Sequence, residues 1–303
     1  MVIKHIVIAG GGPTGFYTYG AAKFLAGKGF WNINNIETIY GTSIGAYIGV
    51  LLCLKYDWDT LNDYIIKRPW DKIFNVSPEA VFRIWESKGL FGDDCIKESL
   101  KPLLVAKELN LNITMKEFYE YSKIELHMFA VDINDFPLRE TDISYKTHPD
   151  LSLITALTMT TAIPFVCKPI ILDNKCFLDG GIVLNYPLRK CLTDTGCDEN
   201  EILAFKNYHS TEKKNVKNLS GIKEDTTLLN FWIYLMRLFV KQFNSNQNEP
   251  IISNEVKCFV DDIGNIDEWK RALDDRDCRE KFIKKGEAAG FMFLEYKINL
   301  QGQ

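Results

Sequence analysis

Ile36-Glu37-Thr38-Ile39-Tyr40-Gly41-Thr42-Ser43-Ile44-Gly45-Ala46-Tyr47-Ile48-Gly49-Val50 decides how the chain is read. A short β-branched apolar run, 36–40, passes through Gly41-Thr42-Ser43 into an apolar helix expected over 44–54. The same grammar stands upstream. His5–Ala9 reads as a buried strand, Gly10-Gly11-Gly12-Pro13-Thr14-Gly15 as a turn, and Phe16–Gly27 as a helix that ends at glycine. Strand, turn, helix, twice over, is the order of an α/β fold with parallel strands. Both turns lie at the carboxyl ends of strands, where open α/β sheets place their ligand sites.

Downstream, 57–123 reads as helical and irregular, with helices expected over 93–104 and 114–121. Thr114 caps the second of these, with Glu117 three residues on. Residues 124–133 predict a strong strand, 138–145 a hairpin partner, and 150–162 a helix that ends before Pro164. Short strands follow at 176–178 and 201–205. The composition then shifts to a polar, lysine-rich loop at 207–227. After it come an apolar helix at 228–243, an Asn/Gln-rich loop at 244–249, a strand at 256–260 and charged helices. An α/β unit is therefore expected over 1–206, with 207–303 as a mainly helical extension packed on it. The 228–243 helix is apolar nearly all round. It reads as a lid or membrane-docking helix or, as all-round apolarity favours, as a buried core helix.

The 303 residues carry 36 basic and 40 acidic side chains, a net charge of −4, which gives no bulk attraction to nucleic acid. With 46% hydrophobic residues the chain is not disordered. Eight cysteines are scattered without C-x-x-C spacing, which excludes a small disulfide scaffold and a zinc signature and suggests buried thiols in a reducing compartment. No signal peptide is read at the start, and neither 44–54 nor 228–240 approaches the ~20 apolar residues of a spanning helix. A cytoplasmic protein, peripheral at membranes if its substrate is a lipid, is the expectation; the oligomeric state is not legible.

Three glycine motifs carry chemistry, and each has a plainer reading. Gly10–Gly15 matches G-x-G-x-x-G, but the acidic residue a dinucleotide site needs at the end of the second strand is absent; Glu37 opens that strand instead. Consecutive glycines also suit an oxyanion hole, in which backbone N–H groups face a small anion beside a helix N-terminus. A tight turn is the plain alternative. Gly41-Thr42-Ser43-Ile44-Gly45 matches G-x-S-x-G, a sharp strand-to-helix turn that presents a serine hydroxyl; the plain alternative is that Ser43 only caps the helix. Asp179-Gly180-Gly181 is, alone, a turn signal.

A serine nucleophile needs a base. The histidines are His5, His127, His148 and His209. His5 opens the first strand, His127 lies inside a strand and His148 precedes Pro149 in a turn; His209, in the polar loop, follows Ser43 and candidate acids in an order that could in principle hold. Only 42 residues precede Ser43, too few for the three strands that precede the serine in the α/β-hydrolase arrangement. A dyad in which an aspartate takes the serine proton, with the three-glycine loop as anion hole, fits better.

GGGPTG, then GTSIG, then DGG far downstream resemble, in that order, the patatin-like phospholipase family. Thr160-Thr161-Ala162-Ile163-Pro164-Phe165-Val166-Cys167-Lys168-Pro169 is similar to that family's small-residue and proline stretch ahead of DG. The resemblance covers about 5–206. It implies a three-layer α/β/α fold with a central, mostly parallel sheet, and hydrolysis of lipid or phospholipid esters through a Ser–Asp dyad without metal or cofactor. Ser43 would be the nucleophile and Asp179 the base, Gly10, Gly11 and Gly12 the oxyanion loop, and Gly15, Gly41, Gly45, Gly180 and Gly181 the supporting glycines. Transient contact with a membrane surface would follow from the substrate. One departure is Thr14, where the family commonly carries Arg or Lys, preceded by Pro13, which has no N–H to donate. Two other readings stay open: a non-catalytic descendant of the fold that binds lipid or a partner, and a nucleotide-binding oxidoreductase.

Overall fold

The computed structural model describes residues 2–209, 222–245, 249–260 and 266–301. Most of the expected 207–227 loop and part of the 244–249 loop lie outside the described residues. The strands are β1 His5–Ile8, β2 Thr38–Thr42, β3 Gly89–Phe91, β4 Glu125–Asp132, β5 Glu140–Ile143, β6 Phe165–Cys167, β7 Ile170–Leu172, β8 Lys175–Asp179, β9 Ile202–His209 and β10 Glu255–Val260. The helices are α1 Gly15–Gly27, α2 Ile44–Cys53, α3 Trp58–Lys67, α4 Trp70–Ile73, α5 Pro78–Ser87, α6 Asp93–Ala106, α7 Met115–Ser122, α8 Leu153–Thr160, α9 Leu188–Thr195, α10 Leu228–Ser245, α11 Ile266–Asp274 and α12 Arg276–Gln301.

The central sheet runs β10-β9-β1-β2-β4-β8-β7, with β5 on β4; β3 and β6 form a separate parallel pair. β10, β9, β1, β2 and β4 are mutually parallel, and β5, β7 and β8 enter antiparallel. Both faces are buried. Ile6, Ile8, Ile39, Leu126 and Met128 point into one core, packed with residues of α1, α2 and α12; Val7, Ala9, Tyr40 and Phe129 point into the other, with Leu188 and Cys191 of α9. This two-sided burial explains why β1 reads as an unbroken apolar run rather than an alternating one.

Register builds the site. Phe129 of β4 pairs with Thr42 of β2 and, across the strand, with Asp142 of β5; Ala130 pairs with Asp179 of β8 and, across the strand, with Thr141 of β5. β5 holds one edge of β4 from Met128 to Val131, so β2 and β8 share the other. The carboxyl end of β2 and the carboxyl end of β8 meet on it.

Element ends differ from the sequence expectation for local reasons. β2 runs two residues past Tyr40 because Gly41 and Thr42 still pair with Met128 and Phe129. The helix expected from 150 starts at Leu153 because Ser152 caps it, accepting the Thr155 N–H. Thr114 and Glu117 form the expected capping box. The structure corrects the favoured reading of the 228–243 helix: of its described side chains only Ile233 is buried, while Leu228, Phe231, Leu238, Phe239 and Phe243 are exposed, so α10 is a surface helix. No described helix is long and apolar enough to cross a membrane. All eight cysteines are free.

The last third is joined to the sheet and to its helical layer. β10 extends the sheet beyond β9. α12 crosses α1 at backbone contact: a Cβ on Gly20 would strike the Ile283 carbonyl, and one on Gly286 the Tyr17 carbonyl, while Tyr17 and Phe282 stack with centroids 5.0 Å apart. Gly286→Val is expected to cost at least about 2 kcal/mol, because side chain would have to replace backbone contact. Urea unfolding of the variant against the wild type measures it.

Candidate active site

Ser43 stands between β2 and α2 with φ 55° and ψ −124°, a left-handed conformation that costs a non-glycine residue about 1–3 kcal/mol. Its hydroxyl makes no capping hydrogen bond to α2, which removes the plain helix-cap reading. The turn is held by its surroundings. The Ser43 N–H donates to Thr160 Oγ1 at 3.0 Å, the Thr160 hydroxyl donates to the Phe129 carbonyl at 2.5 Å, and the Thr42 hydroxyl donates to the Leu184 carbonyl at 2.9 Å. The glycines on either side of the serine allow close packing: a Cβ on Gly45 would strike the Ile8 carbonyl, and one on Gly41 the backbone of Gly45 and Ala46.

Asp179 ends β8 at the same place. Its N–H donates to the Ala162 carbonyl at 3.0 Å, and its Oδ1 accepts the Gly181 N–H at 2.7 Å. The Ser43 hydroxyl stands close enough to its carboxylate to favour the charged form. Ser43 is 4% and Asp179 6% exposed, so the pair sits out of water. Burial pushes the Asp179 carboxyl up to about 6, against the Ser43 hydroxyl and the Gly181 N–H, which hold it down. Gly180 lies where a Cβ would strike the Phe129 carbonyl, and a Cβ on Gly181 would crowd Asp179 Oδ1 and Asn185 Oδ1. The 160–169 stretch thus acts as a clamp: Thr160 holds the serine turn, and Ala162 the aspartate.

The glycine loop borders this pair. A Cβ on Gly10 would come within 3.4 Å of Ser43 Cβ, and a Cβ on Gly15 would crowd the Ile44 side chain. The expected trio of amides needs one correction. The Gly10 N–H donates to the Asn185 carbonyl at 3.0 Å and is not free for a ligand. Among the described residues no acceptor is recorded for the Gly11 and Gly12 N–H groups, and these are the amides left for an oxyanion. Gly12 has φ +55° and lies under Trp269 of α11; a Cβ there would meet the indole at 2.9 Å.

Thr14, where a cation was anticipated, is buried. Its hydroxyl donates to the Gly11 carbonyl at 3.0 Å and accepts from Asn207 Nδ2 at 2.7 Å. A neutral side chain therefore shapes the loop from within. Three residues here had no sequence signal: Asn185 in the turn after DGG, Asn207 near the end of β9, and Trp269. Only the parallel register of β9 on β1, which brings residues after Phe205 alongside Gly10, reveals Asn207.

The described histidines have other partners. His5 Nδ1 is 2.8 Å from Thr38 Oγ1, His148 Nδ1 is 2.9 Å from Thr147 Oγ1, and His127 pairs with Asp142. The side chain of His209 lies outside the described residues. β2 ends at Thr42, with no carboxylate where a dinucleotide ribose would bind.

A mostly parallel sheet with helices on both faces, a serine on a strained turn and an aspartate beside it together define an α/β protein with one candidate site at the strand ends. A profile of the family described as "Patatin-like phospholipase" matches residues 6–192, and the chain belongs to that family. Two viral proteins are similar along most of their length. "Uncharacterized protein R571" of Acanthamoeba polyphaga mimivirus is 26% identical over 251 residues, covering 83% of this chain and 80% of the relative. "Probable lipid hydrolase 463L" of Invertebrate iridescent virus 6 is 28% identical over 245 residues, covering 80% and 76%. Among solved structures, VipD from Legionella pneumophila superposes with a TM-score of 0.51 at 16% identity, over 94% of this chain and 67% of its own, a likeness of fold.

The burial of Asp179 has a stability consequence. A carboxyl lifted from 3.8 to about 6 favours the folded state while protonated, and that advantage is lost as pH rises from 3.8 through about 6. At pH 7–8 the full penalty stands. Asp179→Asn is expected to raise stability at pH 7.5 by about 1–3 kcal/mol, at ~1.4 kcal/mol per pH unit, with the gain fading toward pH 4. Thermal melts of both proteins across that range test it.

Proposed function

We propose that the chain is a lipid acyl hydrolase that cleaves carboxylic esters through a Ser43–Asp179 dyad and an acyl-enzyme. The observation that carries the reading is Ser43, presented on a strained turn beside the carboxylate of a buried aspartate. Asp179 takes the Ser43 proton as Oγ attacks the ester carbonyl carbon. The carbonyl oxygen, now an oxyanion, is stabilised by the Gly11 and Gly12 amides; one such donor is typically worth about 10²–10³ in rate. Collapse breaks the ester C–O bond, and the leaving alcohol takes the proton back from Asp179. Water then gives a proton to Asp179 and its oxygen to the acyl carbon, and collapse releases the fatty acid as Asp179 returns that proton to Ser43 Oγ.

Residues 1–206 carry the chemistry in this reading, and 207–303 form the extension that covers it. α10 packs on the Gly180–Ile182 turn, and Trp232 of α10 stacks on Phe165 with centroids 4.6 Å apart. The exposed Leu238, Phe239 and Phe243 then give a lipid surface something to touch beside the dyad.

Hydrolysis of a p-nitrophenyl ester and of phospholipid vesicles tests the assignment. Ser43→Ala and Asp179→Ala are each expected to lose at least about 10³ in kcat/KM while circular dichroism stays unchanged; full activity in Ser43→Ala contradicts it. Because the base must be ionised, kcat/KM is expected to climb as pH rises through about 6 and to level off above. A pH–rate profile that is flat from 5 to 8 contradicts that role for Asp179.

A further inference from the structure

A second polar cluster stands at the other end of the sheet. A cleft of about 570 Å³ opens where β1, β2 and β4 begin, lined by His127 of β4, Asp142 of β5, Asp194 of α9 and Tyr40 of β2, among others. Tyr40 lies three residues before Ser43, roughly 10 Å along the strand at about 3.3 Å per residue. The dyad does not use this cleft.

Donor atoms from His127, Asp142 and Asp194 all lie within 4.8 Å of one another. Two ligands on opposite sides of one zinc-sized ion are about 4.2 Å apart, since each bond is about 2.1 Å. A spread of up to 4.8 Å is wider than that, so the trio must draw together to hold an ion. His127 is 5% exposed, and its ring is held in one plane by Tyr40, stacked at 4.2 Å and 5°. Nδ1 is 2.9 Å from both Asp142 oxygens; Nε2 is 3.0 Å from Glu125 Oε1, an oxygen that Lys146 Nζ also reaches at 2.7 Å. Whichever ring nitrogen takes an ion, a carboxylate stands close to the other, the arrangement that orients metal-bound histidines. An imidazole with two carboxylates suits a zinc-class ion better than magnesium or calcium, which prefer all-oxygen sets.

We infer that this cleft binds one zinc-class divalent ion between His127, Asp142 and Asp194. The ion would tie β4, β5 and α9 together. α9 directly follows the turn that carries Asn185, so the ion would brace that turn from behind, in a structural role. No sequence signal announces the trio, because 15 and then 52 positions separate its members.

The test is calorimetric titration of ZnCl2 into the EDTA-treated full chain at pH 7.5, with excess MgCl2 present. One ion per chain is expected, with Asp142→Asn and Asp194→Asn each weakening binding about tenfold or more, and a zinc-dependent rise in melting temperature that Asp194→Asn loses. Asp194 is partly exposed on α9, so its variant keeps the test decisive if the Asp142 variant misfolds; its melt without zinc checks the fold. The inference is overturned if no saturable binding occurs, if magnesium competes equally, or if zinc binds Asp194→Asn unchanged, which would place it on the free thiols.

Discussion

One edge of β4 changes neighbour between Phe129 and Ala130, and the arrangement around the candidate site depends on that change. Up to Phe129 the edge belongs to β2, running parallel; from Ala130 it belongs to β8, running the other way. Two strands that meet on one edge from opposite directions must both stop there, and the residues at their ends are thrown together. Those residues are Ser43 and Asp179. The Phe129 carbonyl at the junction is occupied by the Thr160 hydroxyl, whose oxygen in turn accepts the Ser43 N–H. The strain in the serine backbone is thus held by hydrogen bonds that begin at the same junction.

Burial follows from the same geometry and sets the electrostatics. A carboxylate at the end of a central strand cannot reach water, so its proton affinity rises, and the hydroxyl and amide that face it return only part of what burial costs. That is the condition an aspartate needs to accept a proton near neutrality without a histidine. The glycine loop reaches the same place through β1, and its shape is fixed by Asn185, Thr14 and Asn207 rather than by a cation. α10 packs on the turn that follows Asp179 and carries several exposed apolar side chains.

Much of this was legible in the sequence, for identifiable reasons. The β1–α1 and β2–α2 units were readable because their strands are buried on both faces and their turns need glycine. The Ser43 and Asp179 motifs were readable because each demands glycine at fixed neighbours. Other features had no local signature. The three-residue strands β3, β6 and β7 are too short to show a period. The surface position of α10 was misjudged, because composition reports apolar residues and not whether anything packs on them. The Gly10 amide looked free until Asn185, which is 175 residues away, came to rest against it. Asn207 and Trp269 become visible only once β9 and α11 are placed.

The central claim is that Asp179 activates Ser43. Fluorophosphonate labelling with peptide mapping by mass spectrometry tests it directly, in the wild type and in Asp179→Asn, without reference to any lipid. One adduct per chain on Ser43 is predicted in the wild type, with labelling slowed at least about 10²-fold in the variant, the usual worth of a positioned base. Adducts elsewhere with Ser43 unmodified, or equal labelling rates in the two proteins, would contradict the account.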